Sequence, residues 1–216
     1  MGRDRQHDDR RRGAAGDRGS AHRIERDRLG IARTAARLIV VHGLTDWTLA
    51  KRKAARQLML PDSAALPSNE DIEQALLDHH ALFGADEHAA TLHAQRTEAL
   101  HWMRRLATFG PLLVGGVAAG WATEHSDVRI ELVADDPKAV EMLLVGAGVA
   151  YVALPPRETT ALAARGTELL IGKPRAIRLT VLAPQQRRNR PRGDDEPRLD
   201  ADALAALLDP PPRPDT

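Results

Sequence analysis

The sequence predicts an α+β protein, with a helical N-terminal half followed by a small mixed β-sheet with helices. Between Ile24 and Thr108, apolar residues recur at helical spacing and capping residues stand at the ends of the runs. Phe109-Gly110-Pro111 ends this pattern, and short apolar or alternating runs follow as far as Leu182. Helices and strands are thus segregated along the chain, which is typical of α+β proteins.

Composition excludes several classes of protein. The 216 residues include 31 basic and 30 acidic side chains, so no overall positive field indicates a nucleic-acid partner. The absence of cysteine excludes disulfides, cysteine-based zinc sites and thiol catalysis. No apolar run reaches membrane-spanning length, and the N-terminus lacks the apolar core of a signal peptide. We expect a soluble cytoplasmic protein with no membrane partner, and the abundance of Ala, Arg and Asp is typical of a high-GC bacterial genome.

Four segments follow from this composition. Residues 1–23 are charged and almost without apolar side chains, which predicts a disordered tail. Residues 24–108 form the helical region and residues 109–183 the α/β sheet domain. Residues 184–216 combine a charged linker with a short last helix that begins at Asp200.

Capping residues delimit the four predicted helices. The first ends at Gly43, and Thr45 or Asp46 caps the second. Ser68 and Asp71 approximate a capping box for the third, which stops at Gly84. The fourth helix is predicted from about Asp86 to Thr108.

The second helix is basic. Its apolar positions are Trp47, Ala50, Ala54 and Leu58, and its cations lie elsewhere on the helix: Lys51, Arg52, Lys53 and Arg56. Two helices joined by a glycine turn, the second of them basic, suggest a nucleic-acid-binding helix-turn-helix. The alternative is an ordinary solvated face of an amphipathic helix.

The second half centres on a strand, a glycine pair and a second strand. Leu112 to Val114 reads as a buried strand, Gly115-Gly116 as a turn, and Val117 to about Thr123 as a short helix. Gly116 is expected to let a ligand approach the backbone, with amides at the helix start holding phosphate. Alternatively, the glycines only permit tight packing of helix on strand.

Asp127 opens the next strand, on which polar and apolar residues alternate. Asp127, Arg129 and Glu131 point to one face, which we expect to line a cleft, and the intervening residues point to the other. Downstream, Asp136 and Pro137 start a helix over Lys138 to Ala147, and a strand is predicted over Val149 to Leu154. A hairpin is predicted from Glu168–Ile171 and Ala176–Leu182.

This arrangement resembles the nucleotidyltransferase superfamily, the DNA polymerase beta-like fold. Members place a Gly-Gly or Gly-Ser turn about ten residues before a strand that carries Asp-x-Asp, and Gly115, Gly116 and Asp127 match that pattern. The resemblance implies a nucleotidyltransferase-like fold, a nucleoside triphosphate ligand, and Mg²⁺ held by the paired carboxylates, here by Asp127. It covers the second half of the chain only.

Two of the three carboxylates that the family pattern expects are missing. Arg129 stands where the second carboxylate belongs. Arg178 and Thr180 are the polar residues of the strand from which the family takes its third carboxylate, which leaves Glu168 as the acidic candidate nearby. Ordinary two-metal catalysis is therefore not expected.

Three hypotheses follow. The first is a catalytically degenerate nucleotidyltransferase-like protein that binds nucleotide, RNA or a protein partner in a pocket formed by Gly115, Gly116, Asp127 and Arg129. The second is an active metal-dependent transferase with an atypical site formed by Asp127 and Glu131, although four residues along a strand span roughly 13 Å. The third is a nucleic-acid-binding regulator that acts through the basic helix.

Overall fold

The computed structural model describes residues 4–155, 166–172, 175–188 and 197–209, with side chains from Ala21 onward. The chain divides into two compact units, Met1–Phe83 and Gly84–Thr216. The helical half and the mixed sheet of the predicted α+β fold are both present. The boundary between the units precedes the fourth helix, which belongs with the sheet.

The described residues of the first unit form three helices: α1 (Asp4–His42), α2 (Trp47–Gln57) and α3 (Asn69–Leu82). Both α2 and α3 pack against α1. The core lies where small and branched residues of α1, among them Ile31, Ala35 and Leu38, are buried with Ala54 of α2 and Leu76 of α3.

The ends of these helices follow the predicted capping chemistry. Gly43, with a φ of 62°, stands just after α1, and Asp46 accepts a hydrogen bond from the amide of Leu49 at the start of α2. Ser68 and Asp71 form the reciprocal capping box of α3. Each of these signals depends only on neighbours in sequence, so the sequence is sufficient to predict it.

The backbone differs from the prediction at the N-terminus. Residues 1–23 are predicted to be disordered, whereas α1 begins at Asp4. Once the apolar face near Ile31 is buried, extending a helix toward the N-terminus adds one hydrogen bond per residue fixed, because the costly first turn already exists. Residues 1–3, and the side chains of residues 4–20, lie outside the described part of the chain.

The second unit contains the sheet and the remaining helices. In chain order its elements are α4 (Ala85–Arg105), a 3₁₀ turn (Ala107–Phe109), β1 (Leu112–Val114), α5 (Gly116–Ala119), β2 (Val128–Val133), α6 (Lys138–Gly146), β3 (Val152–Leu154), β4 (Gly166–Ile171), β5 (Ile177–Leu182), α7 (Pro184–Arg188) and α8 (Ala201–Leu208).

In the part of the chain that the structure describes, five strands form one mixed sheet in the order β1-β2-β5-β4-β3. Strand β2 pairs antiparallel with β1 and parallel with β5, while the predicted hairpin of β4 and β5 is antiparallel. Its turn at Lys173 and Pro174 lies outside the described residues, as do residues 189–196 of the predicted linker. Leu199, just before α8, adds an antiparallel bridge to Leu113 at the outer edge of β1.

One face of the sheet forms the core of this unit. Side chains such as Ile130 of β2 and Leu179 of β5 are fully buried there, together with Met103 of α4, Leu144 of α6 and Leu204 of α8. Along β2 and β5 the apolar positions alternate with polar ones, so burying this face fixes the register and sends the polar residues to the other face.

Two elements are shorter than predicted because a neighbouring cap ends them. Helix α5 stops at Ala119, since Gly120 adopts the left-handed conformation that closes a helix. Strand β3 begins at Val152 rather than Val149, because the amide of Val149 donates to the carbonyl oxygen of Leu144 as part of the cap of α6.

Candidate functional site

The polar face of the sheet brings together residues from three adjacent strands. Arg129 of β2 lies opposite Arg178 of β5, and Glu131 of β2 lies opposite Thr180 of β5. Glu168 of β4 is on the other side of Thr180. Residues that are directly opposite in a sheet point to the same face, so these side chains form one polar surface.

Arg178 joins two carboxylates at this surface. Its Nε and Nη2 atoms donate to Oδ2 of Asp127 at 3.0 Å and 2.6 Å, and its Nη1 atom donates to Oε2 of Glu168 at 3.0 Å. Burial lowers the pKa of Arg178, but the hydrogen bonds and charges of Asp127 and Glu168 outweigh that effect and the pKa is raised. The guanidinium is therefore a permanent cation held between Asp127 and Glu168.

Arg129 is in a different environment. Its side chain is exposed, and no acidic side chain among the described residues pairs with it. It passes over the glycine turn, because a Cβ atom added at Gly115 would lie 3.3 Å from Cδ and 3.5 Å from Nη1 of Arg129. An exposed guanidinium beside a bare backbone is suited to bind an anion.

The glycine pair has a structural explanation at both positions. Gly115 combines a φ of 69° with a ψ of −156°, a conformation that is essentially restricted to glycine. At Gly116, an added Cβ atom would lie 2.6 to 2.9 Å from the ring of Trp121. The indole therefore covers Gly116, contrary to the expectation that a ligand approaches the backbone there. The close contact at this position is with Trp121, which follows α5, and not the packing of helix on strand that the alternative describes.

Polar side chains of α4 hold the segment after the turn. They donate hydrogen bonds to main-chain carbonyl oxygens of α5 and of the turn that follows, and we call this set of bonds the α4 clamp. Its bonds are His88 Nε2 to Gly120 O at 2.9 Å, Gln95 Nε2 to Thr123 O at 2.8 Å, Arg96 Nε to Val117 O at 3.1 Å and Arg96 Nη2 to Ala118 O at 3.3 Å. Burial lowers the pKa of Arg96. This clamp was not predicted from the sequence, where its one signal is the polar Gln95 within the buried stripe of α4.

Glu131 does not line an open cleft. It lies on the same face as Arg129, as predicted, but it is only 3% exposed. Its position beside β1, opposite Leu112, encloses it. A carboxylate in this position lacks the solvent access that a catalytic role together with Asp127 requires.

The described residues do not fit a divalent metal. Asp127 and Glu168, two of the acidic residues considered for the expected site, are both bound to Arg178, whose charge would repel a cation. Across the parts of the chain whose side chains are placed, no group of three or more His, Cys, Asp or Glu residues is arranged to hold a metal ion. The Mg²⁺ ion that the family resemblance implies therefore has no suitable ligand set in the described part of the chain.

The basic helix α2 presents three of its four cations to solvent. Arg52, Lys53 and Arg56 are exposed. Lys51 is 8% exposed, and its Nζ atom donates to Oδ1 of Asn69 at 2.9 Å. The pKa of Lys51 is lowered, because the effect of burial is larger than the opposing effect of nearby acidic residues, which raise this pKa. The prediction that Lys51 belongs to a nucleic-acid-binding surface is thus not supported by its position, because the side chain points into the unit.

Comparison of this chain with protein-family models, with curated proteins and with solved structures finds no match. Among the described residues, every helix is too short or too polar to cross a bilayer. The geometry of the polar face and of α2 is therefore the basis for a functional proposal.

Proposed function

We propose that this chain is a nucleotidyltransferase-like protein that has lost nucleotide transfer and binds the phosphates of a nucleotide or RNA through Arg129 beside Gly115. The observation that carries the proposal is the position of Arg178, between the two carboxylates that would otherwise be available to a metal. A fixed guanidinium supplies positive charge there, but it cannot activate an attacking group as a metal ion does.

The order of the elements supports this proposal. Strand β1 leads into the Gly115-Gly116 turn and α5, and β2 begins directly after Asp127. The resemblance would take the third carboxylate from a later strand of this sheet, and β5, the parallel neighbour of β2, carries Arg178 on its polar side. Both departures from the family pattern, Arg129 and Arg178, are therefore arginines on adjacent strands.

Arg129 is the residue expected to contact the phosphate. It is exposed and reaches over Gly115, where no side chain separates the guanidinium from the backbone. A hydrogen bond to a charged group contributes about 1.5–3 kcal/mol, so Arg129→Ala should weaken nucleotide binding about tenfold or more. Calorimetric titration with a nucleoside triphosphate measures this effect.

Arg104→Ala is the matched control for that titration. Arg104 is an exposed arginine of α4 in the same unit, so its removal changes the net charge equally without touching the polar face of the sheet. Nucleotide affinity that is unchanged in Arg129→Ala, or that falls equally in both variants, would reject the assigned role of Arg129.

A transfer assay separates the proposal from an active enzyme. α-Labelled nucleoside triphosphates are incubated with Mg²⁺ or Mn²⁺ and cell RNA and protein, comparing the wild-type chain with Asp127→Ala. We expect no transferred label from either protein. Label that the wild type transfers and Asp127→Ala does not would mean that Asp127 supports catalysis despite its bonds to Arg178, and the proposal would fail.

A second function, nucleic-acid binding by the first unit, is favoured by the charge of α2. Helix α2 contains no acidic residue, and Arg52, Lys53 and Arg56 are exposed. Changing these three cations to alanine should reduce the salt dependence of binding to labelled RNA or DNA. The slope of the logarithm of the binding constant against the logarithm of salt concentration should fall by about one unit for each phosphate that is no longer neutralised. Lys51→Met is the control, because it removes a buried cation from the same helix. A slope unchanged in the triple variant would exclude this surface.

A further inference from the structure

We infer that the Arg129 site takes phosphate groups that are not coordinated to a divalent metal, so that Mg²⁺ weakens binding instead of supporting it. The inference rests on the proposed function, because it specifies the form of ligand that the proposed site accepts. It reverses the metal dependence that the family resemblance implies.

The first step is the loss of metal ligands. Asp127 uses Oδ2 for two hydrogen bonds and Glu168 uses Oε2 for one, all donated by Arg178. A metal ion that bound the remaining carboxylate oxygens would lie close to the Arg178 guanidinium. Repulsion between the metal ion and the guanidinium would oppose metal binding strongly, because the Arg178 side chain is only 14% exposed and water screens its charge poorly.

The second step concerns the ligand. Arg178 and Arg129 are directly opposite on β5 and β2, and adjacent strands are about 4.8 Å apart. Arg178 is neutralised by two carboxylates, whereas Arg129 has no acidic partner among the described residues and is open to solvent. A phosphate at Arg129 supplies the missing negative charge. Mg²⁺ already bound to that phosphate would reduce its charge and add a cation beside two arginines.

The third step defines the ligand class as a terminal phosphate without bound metal, carried either by a free nucleotide or by a phosphorylated nucleic-acid end. Three ligands distinguish these sources: ATP, a short RNA with a 5′-phosphate, and the same RNA with a 5′-hydroxyl. A nucleotide site binds ATP most tightly, and a site for RNA ends binds the phosphorylated RNA in preference to its hydroxyl form.

The experiment is calorimetric titration of the full chain with each ligand, in EDTA and in excess MgCl₂, with KCl adjusted to equal ionic strength. We expect binding in EDTA, and affinity that is lower in Mg²⁺ on the order of fivefold, equivalent to about 1 kcal/mol. Equal or tighter binding in Mg²⁺ overturns the inference but leaves the proposed function intact. No binding of any ligand under either condition overturns both.

Binding of Mn²⁺ alone, measured by electron paramagnetic resonance, tests the first step independently. We expect the wild type and Asp127→Asn to bind Mn²⁺ equally weakly. Specific Mn²⁺ binding by the wild type that is lost in Asp127→Asn would overturn the inference.

Arg178→Met, checked for folding by circular dichroism, should bind Mn²⁺ more tightly than the wild type, because it releases Asp127 and Glu168 from their shared cation. A folded Arg178→Met that gains no affinity would also contradict the first step.

Discussion

At the scale of single residues, Met59 is a site of backbone strain. It has a φ of 54° without being glycine and is 90% exposed. Its amide donates to the carbonyl oxygen of Arg56, and the amide of Leu60 donates to that of Ala55. These two bonds form the Schellman pattern that closes α2, in which glycine is the favoured residue at the left-handed position.

Met59→Gly should therefore stabilise the first unit. The left-handed conformation costs a non-glycine residue roughly 1–2 kcal/mol, and the greater freedom of glycine in the unfolded chain offsets part of the gain. We expect a net increase in the free energy of unfolding of about 0.5–1 kcal/mol, measured by urea denaturation. Met59→Ala is the control and should show no gain, because alanine keeps the Cβ atom. A gain of equal size in Met59→Ala would mean that the exposed side chain, not the backbone, is the cause.

Asp71 links the stability of the first unit to pH. Its Oδ2 atom accepts from the amide of Ser68 at 2.7 Å and from Nη2 of Arg28 at 2.6 Å. The backbone bond, followed by the bond to Arg28, lowers the pKa of Asp71 below its ordinary value of 3.8. Because the folded-state pKa is depressed, the charged form adds stability above pH 3.8, and that contribution is lost as the pH falls through the folded value.

The corresponding variant is Asp71→Asn. It should be less stable than the wild type at neutral pH, and the difference should shrink as the pH falls below 3.8 toward the lowered pKa at which the folded carboxylate is protonated. Asp62→Asn, an exposed residue of the loop before α3, controls for the general effect of removing one negative charge. A stability difference that stays constant from pH 7 to pH 2 would exclude the charge of Asp71 as its origin.

At the scale of elements, the turn between β1 and β2 depends on how α5 and Trp121 are held. The α4 clamp binds the carbonyl oxygens that α5 leaves open, and the indole of Trp121 covers Gly116. Four residues are too few for a stable isolated helix, so α5 exists because tertiary contacts hold it.

Gly116→Ala should destabilise the second unit by about 1–3 kcal/mol, because the new methyl group would overlap the ring of Trp121. Thermal or urea unfolding measures the loss. Gly146→Ala is the matched control, since an added Cβ atom there meets no heavy atom within 4 Å. Combining Gly116→Ala with Trp121→Leu should cost less than the sum of the two single changes, and strict additivity would contradict the overlap.

At the scale of the whole molecule, the chain is organised as two units with separate hydrophobic cores. In the second unit, α4, α6 and α8 cover one face of the sheet, and a single buried cluster includes residues of all of them. The other face carries the polar residues of the proposed site. Both the cluster and the site thus belong to the segment that begins at Gly84.

A fragment spanning residues 84–216 should therefore fold by itself. We expect a cooperative thermal transition and a nucleotide affinity that remains within about threefold of the full chain, because Arg129 and the residues around it belong to this unit. A fragment that starts at Pro111 is the control and should not fold, since it lacks α4. Cooperative folding of the shorter fragment would mean that α4 is dispensable for the sheet.

The sequence by itself determined the α+β class, the order of the strands and of the helices other than α7, and most of their ends. Helix α7 lies in the segment that the sequence predicts to be a charged linker. These features depend on local chemistry: Asp46, Ser68 and Asp200 accept hydrogen bonds from amides a few residues away, and alternation along β2 follows from the pleat of a strand.

Only the tertiary structure decided which polar side chains meet. Arg178 contacts Asp127, which is 51 positions away along the chain, because β5 pairs in parallel with β2. Lys51 is buried and Arg129 is exposed, although both are cations that a sequence pattern places on a polar side. Burial and pairing depend on what packs against each face, and one sequence carries no direct record of contacts between distant segments. The contacts and the exposure of the residues in the proposed site therefore depend on the order in which the strands pair.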